Sequence, residues 1–189
     1  HRFRETDVLN QSLKVLYDLS DTIQLTSVTT AASDSTERAF FTAGTGGLQQ
    51  VTDGAVDFDN LAQELRLNYS PAGSATTAVL GLYYFTEDLV NNTLVLGSLF
   101  GADFTEQNRA LFGQVDWAVS DRWSLLVGGR YDLGDFENIL LQGDPANPTA
   151  IRRPDNSHRE FLPTVGVRYG LAKDISLGAS IKRGFRAGG

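Results

Sequence analysis

Four short polar turns punctuate the chain, each preceded by an aromatic residue. They are Asp18-Leu19-Ser20-Asp21, Ser70-Pro71-Ala72-Gly73-Ser74, Ser120-Asp121-Arg122 and Leu171-Ala172-Lys173-Asp174. The aromatics, Tyr17, Tyr69, Trp117 and Tyr169, are spaced by 52, 48 and 52 residues. Between successive turns lies a segment rich in Gly, Asn, Asp, Ser and Thr. A repeat of this kind limits the fold more than any single motif. It reads as strand, tight turn, strand and long loop, four times over.

The segments beside the turns alternate with period two, as strands with two different faces must. Leu13, Val15 and Tyr17 alternate with Ser12, Lys14 and Leu16, and Leu65, Leu67 and Tyr69 with Glu64, Arg66 and Asn68. Val127, Gly129 and Tyr131 alternate with Gly128, Arg130 and Asp132, and Val165, Val167 and Tyr169 with Gly166 and Arg168. Thr76–Glu87 is apolar on both faces, so its register stays open. The second face carries charges in mid-strand: Glu64, Arg66, Asp116, Arg130, Arg168 and Lys182. All four pre-turn aromatics share the apolar face. That is where a membrane barrel places a girdle of rings at headgroup level, with charges in the lumen. About eleven residues at ~3.3 Å, tilted ~40°, span the roughly 25 Å apolar band of such a barrel. The pattern predicts an all-β, antiparallel up-and-down transmembrane β-barrel segment of about eight strands in four hairpins, with short periplasmic turns and long extracellular loops.

Parity constrains the turns. Tyr17 and Ile23 share a face, as do Trp117 and Trp123, and Tyr169 and Ile175. Each connection therefore holds an odd number of residues, and three is the expected count. In the third hairpin this pairs Val115 with Val127, Gly113 with Gly129, and Leu111 with Tyr131.

Composition narrows the functional classes. The longest apolar run, Ala78 to Phe85, is far short of the ~20 residues a membrane helix needs, and no signal peptide is visible. With no Cys there is no disulfide framework and no thiolate metal site. A net charge of −7 excludes nucleic acid as a partner, because phosphate binding needs clustered Lys and Arg. Acids gather in two expected loops: Asp34, Glu37, Asp53, Asp57 and Asp59 in one, Glu87, Asp88, Asp103 and Glu106 in the other.

Several segments resemble strands of TonB-dependent outer-membrane receptors: Gln63-Glu64-Leu65-Arg66-Leu67, Gly81-Leu82-Tyr83-Tyr84-Phe85-Thr86-Glu87, Ala110-Leu111-Phe112-Gly113-Gln114-Val115 and Gly128-Gly129-Arg130-Tyr131. The end, Lys182-Arg183-Gly184-Phe185-Arg186-Ala187-Gly188-Gly189, is similar to a strand end common in that family. The resemblance implies that residues 1–189 are part of the receptor's β-barrel domain, without the plug domain and without the barrel C-terminus. It implies a bacterial outer-membrane location and active import of scarce solutes, above all ferric siderophores, energised through TonB. The implied partners are outer-membrane lipid, the plug domain, the remaining barrel strands, the TonB complex and the solute. The implied edges of the piece are Val8–Tyr17 and Ile175–Phe185.

No catalytic, cofactor or metal site is expected, and the chain is read as no enzyme. His158 near Asp155 is read as a polar loop residue, and Gly97-Ser98-Leu99-Phe100-Gly101 lacks the spacing of a nucleophile elbow. Asp53, Asp57 and Asp59 lack the spacing of a Ca²⁺ loop and are read as a solvated acidic stretch. Ligand-contact candidates in the outer loops are Phe40, Phe41, Phe100, Phe104 and Phe136 with Arg152 and Arg153, suited to an anionic, ring-bearing solute. Arg183 has lipid-facing parity and is expected to snorkel to lipid phosphates. The alternative is a self-contained eight-stranded barrel with a structural or adhesive role. Its narrow interior would be underfilled by Ser12, Gly128, Gly166, Ser176, Gly178 and Ser180. A barrel hydrolase is a third class, for which no convergent acid, base and nucleophile is visible.

Overall fold

The computed structural model describes residues 2–43, 49–153 and 156–185. Among these, the regular structure is nine antiparallel strands: β1 (Arg2–Ser20), β2 (Ile23–Ala43), β3 (Gln49–Tyr69), β4 (Thr76–Val95), β5 (Ser98–Ala118), β6 (Trp123–Gly143), β7 (Thr149–Arg152), β8 (Asn156–Ala172) and β9 (Ile175–Lys182). Eight lie side by side in chain order in one sheet, and the short β7 pairs with the upper end of β6. Among the described residues β1 pairs only with β2 and β9 only with β8. The sheet is open, so these strands do not form a self-contained eight-stranded barrel.

The third hairpin has the expected register, with Val115 opposite Val127, Gly113 opposite Gly129 and Leu111 opposite Tyr131. Its turn is the three residues Ser120-Asp121-Arg122, closed by a 2.8 Å hydrogen bond from the Val119 N–H to the Trp123 carbonyl. The first and fourth hairpins differ from the expected three-residue loop. Each has a two-residue turn beside a bulge, between Asp18 and Ser20 or between Gly170 and Ala172. The bulge supplies the odd residue that parity requires, so Tyr17 and Leu25 still oppose each other. The register of β4, open from sequence, is set by its neighbours: Leu65 and Leu67 on β3 oppose Leu82 and Leu80, and Leu111 on β5 opposes Leu82.

The expected long loops are corrected by the structure. β2 to β6 are 20 or 21 residues long, and the segments expected to be loops are largely their continuation. The β4–β5 connection shrinks to Leu96-Gly97, both with positive φ (51° and 78°), a turn whose twist matches the flanking strands. The acidic composition of 34–59 and 87–108 suggested solvated loops. In fact these are strands with most of the acids on the outer face (Glu37, Asp53, Asp57, Asp59, Asp88 and Asp103), while Asp34, Glu87 and Glu106 face inward.

The two faces differ in crowding. Among the described residues those that are buried are Thr26, Thr36, Gly54, Gly81, Ala110, Asp132, Gly134 and Gly166, and the cross-strand register puts all of them on one face. We call this the inner face. The opposite, outer face carries exposed Leu65, Leu67, Leu80, Leu82, Leu111, Val115, Val127, Tyr131, Phe161 and Val165. Aromatic side chains lie over inner glycines: a Cβ on Gly81 would come 2.3 Å from the Phe112 ring. One polar interruption of the outer face is satisfied internally. Gln63 donates to Ser27 Oγ at 2.9 Å and accepts from Thr29 Oγ1, as a site facing hydrocarbon requires.

About ten residues beyond each pre-turn aromatic, the polarity of the two faces reverses with no slip in register from β2 to β6. Outer positions become Asp57, Asp59, Asp88, Asp103, Asp135 and Glu137, and inner positions become Val56, Phe58, Leu89, Phe104, Phe136 and Leu140. Ten residues at ~3.3 Å and ~40° tilt give roughly 25 Å, the height of a barrel's apolar band. Hydrocarbon outside one half of each strand and water outside the other accounts for the reversal.

Candidate functional site

The lower inner face is a set of ion pairs built from residues two apart on one strand or two strands apart across the sheet. Arg66 pairs with Glu64, and Arg168 with Asp116 at 3.9 Å. Arg130 donates from Nε and Nη2 to both oxygens of buried Asp132 at 2.8–2.9 Å, and to Asn108 Oδ1 at 3.4 Å. Its guanidinium stacks on Tyr83, 4.8 Å from the ring centre, and lies 6.0 Å from Phe112. Lys182 stands opposite Thr164 at the β9 edge. Glu64, Arg66, Asp116, Arg130, Arg168 and Lys182 thus occupy one face by register. Paired charges two strands or two residues apart hold a wall rigid, and they leave little unbalanced charge for a solute.

Tyr17, Tyr69, Trp117 and Tyr169 are on the outer face beside their turns; the first three are exposed and Tyr169 is half-buried. Trp123 joins them, its ring 4.6 Å from that of Tyr169.

The upper inner face is different. Phe104 and Phe136 lie 6.1 Å apart between ring centres, and by register Phe58 and Leu89 extend the same apolar row. Beside it, on β1 and β2, Arg4 stands directly opposite Arg38. Neither has an ion-pair partner among the described residues. Like charges opposed across a strand pair are destabilising. Their acidic neighbours Glu5 and Glu37 oppose each other on the other face. Gly54 makes room for the Arg38 side chain, since a Cβ there would meet Arg38 Nε at 2.8 Å. Arg4, Arg38, Phe58, Leu89, Val56 and Asp34 are among the residues around a cavity of about 580 Å³. Two amide oxygens on this face, Asn91 Oδ1 and Asn138 Oδ1, are buried with no hydrogen-bond partner among the described residues. Glu87 faces Glu106 across β4 and β5. Burial pushes its carboxyl above the ordinary range, and the Glu106 charge adds to the shift.

The other expected contact residues are scattered. Phe100 is exposed near the tip of β5. Phe40 and Phe41 end β2, and their side chains fall outside the described residues. Arg152 pairs with Glu137 on the outer side. Arg153 is exposed, its N–H bonded to the Asn138 carbonyl at 2.9 Å. His158 is in β8, not in a loop: its ring fills the space over Gly134 and stacks on Phe185 at 4.9 Å; Asp155 lies outside the described residues. Arg183, expected to reach lipid, instead pairs with Glu160 at 2.7 Å and donates to the Phe161 carbonyl. The β9 edge leaves it free to fold back onto β8. Asp53, Asp57 and Asp59 alternate along the outer face of β3, with Asp57 accepting from Ser35 Oγ at 2.7 Å. Sequence reasoning missed Arg4, Arg38, Phe58 and Leu89. Period two carried past Asp59 would have found Phe58 and Leu89; pairing Arg4 with Arg38 needs the β1–β2 register.

An open antiparallel sheet of long up-and-down strands, apolar outside at one end and ion-paired inside, defines a wall segment of an outer-membrane-type barrel. The TonB-dependent receptor-like β-barrel family matches residues 1–189, and the chain belongs to that family, one of receptors and not of enzymes. Among solved structures, it is similar to the ferric yersiniabactin uptake receptor FyuA from Yersinia pestis, with 18% identity and a TM-score of 0.71 over 94% of this chain and 27% of that one. It is also similar to the closed form of the ferric-catecholate import receptor Fiu from Escherichia coli K12, with 10% identity and a TM-score of 0.74 over 96% of this chain and 33% of that one. At these identities the likeness is one of fold. The chain spans about a quarter to a third of the length of these receptors.

Proposed function

We propose that the chain is part of the barrel wall of an outer-membrane receptor that imports an anionic ferric siderophore with energy from TonB. The observation that carries this reading is the opposed Arg4–Arg38 pair, without an ion-pair partner among the described residues, beside the aromatic row of Phe58, Phe104 and Phe136. Inside, this half of the sheet offers the two arginines, rings and the buried acceptors Asn91 and Asn138, beside the acids Asp34, Glu87 and Glu106. A solute with charged oxygens, ring surface and a few hydrogen-bond donors matches each of these groups. In this reading a plug domain and further strands complete the barrel, and the tips of β2–β3, β4–β5 and β6–β7 face the cell exterior. Phe40, Phe41, Phe100, Phe104, Phe136, Arg152 and Arg153 remain proposed contacts, with Phe104 and Phe136 the best placed.

The test uses the full-length protein in a host lacking its own ferric-chelate receptors. Uptake of radiolabelled iron bound to carboxylate, catecholate or hydroxamate chelators is measured with TonB intact and deleted. At least one anionic chelate is expected to enter only with TonB. R4Q/R38Q should weaken its uptake about tenfold or more while surface levels stay unchanged. TonB-independent entry, or uptake indifferent to both arginines, overturns the reading.

A further inference from the structure

Outward-facing basic residues are confined to one sector of the sheet. Beyond the apolar band, the outer positions of β1–β4 carry Glu5, Glu37, Asp57, Asp59 and Asp88. On β5 and β8, Arg109 and Arg159 flank Leu133 of β6 in one cross-strand row. Both are exposed. Two other outward arginines are occupied, Arg152 by Glu137 and Arg183 by Glu160. Arg109 has one weak hydrogen bond, to Gln107 Oε1 at 3.3 Å, and neither Arg109 nor Arg159 forms an ion pair among the described residues. Directly below, toward the membrane, the next outer row is Leu111, Tyr131 and Phe161, which are 51%, 44% and 54% exposed.

We infer that Arg109 and Arg159 bind the phosphates of a lipid headgroup in the leaflet that surrounds the barrel's outer end. Rings of Tyr131 and Phe161 lie where amphipathic aromatics meet headgroups, and the acyl chains run down the exposed Leu111 and Val127. A guanidinium presents paired donors to a phosphate, and the weak hydration of Arg suits this boundary. The two arginines are two strand spacings apart, about 10 Å, so one headgroup with two phosphates, or two neighbouring headgroups, reaches both. Asp135 lies one row higher, toward solvent, and the pair keeps a surplus of positive charge. Arginine on the lipid face is costly at mid-membrane and nearly free at the interface, which fits the place of Arg109 and Arg159 at the upper end of the apolar band. The inference rests on the outer-membrane reading above.

The test is retention of bisphosphorylated lipid A by the purified full-length protein in nanodiscs, followed by native mass spectrometry. Wild type is expected to retain it in preference to dephosphorylated lipid A. R109Q/R159Q should lose roughly fivefold in retention for each arginine, and R122Q/K173Q at the opposite rim should lose nothing. If the double variant fails to assemble, each single variant carries the comparison. Equal retention by wild type and variants overturns the inference while leaving barrel insertion intact; failure of wild type to insert at all overturns the membrane reading instead. Competition by millimolar inorganic phosphate as strong as by lipid A would assign the site to free phosphate and also overturn it.

Discussion

The lower and upper halves of the same strands obey opposite rules. On β3, the outer face runs Tyr69, Leu67, Leu65 and then Asp59 and Asp57, while the inner face runs Arg66, Glu64 and then Phe58 and Val56. Register does not change between them. What changes is the solvent outside the sheet: hydrocarbon for the lower half, water for the upper. The inner faces differ in consequence. The lower one closes its charges on each other, as in Arg130–Asp132 and Arg66–Glu64. The upper one leaves Arg4 and Arg38 opposed beside rings, with no ion-pair partner among the described residues. A wall that neutralises itself serves as a scaffold; the upper one is where the function proposed above puts the solute.

The sharpest way to break this comparison is to place the same charge on the same face in each half. Val165, on the outer face in mid-band opposite Val127, changed to Arg should cost ~2–4 kcal/mol and sharply reduce the heat-modifiable, membrane-assembled form of the full-length protein. Asp59→Arg, on the outer face of the upper half and opposite Asp88, should leave assembly unchanged. Comparable losses from the two would show that both halves face the same solvent.

A smaller effect is expected where curvature crowds the lower inner face. Gly81→Val puts a side chain where the Phe112 ring lies, an overpacking that costs about 1–3 kcal/mol. The midpoint of urea unfolding in lipid should fall, and adding Phe112→Ala should restore part of it. No recovery in the double variant would mean that the ring is not what Gly81 accommodates.

The smallest effect concerns pH in the upper half. The raised Glu87 carboxyl is fully protonated in the folded protein below the ordinary carboxylate range, and stability falls as pH rises through its raised value. Glu87→Gln should therefore be modestly stabilising at pH 7 and neutral near pH 4, as read from hydrogen exchange of β4 and β5. Stabilisation that is equal at both pH values would place the cause elsewhere than in the Glu87–Glu106 pair.

Much of the lower half was legible from residues alone. Period two and the recurring aromatics named the faces, and odd turn parity paired Leu111 with Tyr131 before any coordinates. The upper half was misread because its acids, on alternate positions from Asp53 to Asp59, look like loop composition unless the intervening Val56 and Phe58 are assigned to a face. β4 was illegible on its own, because Leu82 and Tyr83 are both apolar and only Leu65 and Leu111 on its neighbours decide which points out.

The sequence by itself determined that the chain is a two-faced β ribbon folded at four turns, because side-chain alternation and turn chemistry are local properties. It also determined that one face of each turn-proximal segment meets an apolar medium. Only the tertiary structure decided which distant residues become neighbours: Arg4 opposite Arg38, Arg130 over the Tyr83 ring, and Arg109 and Arg159 in one row on either side of Leu133. Those meetings depend on the relative sliding of strands. A bulge or one residue in a turn shifts that sliding, and every cross-strand partner changes with it.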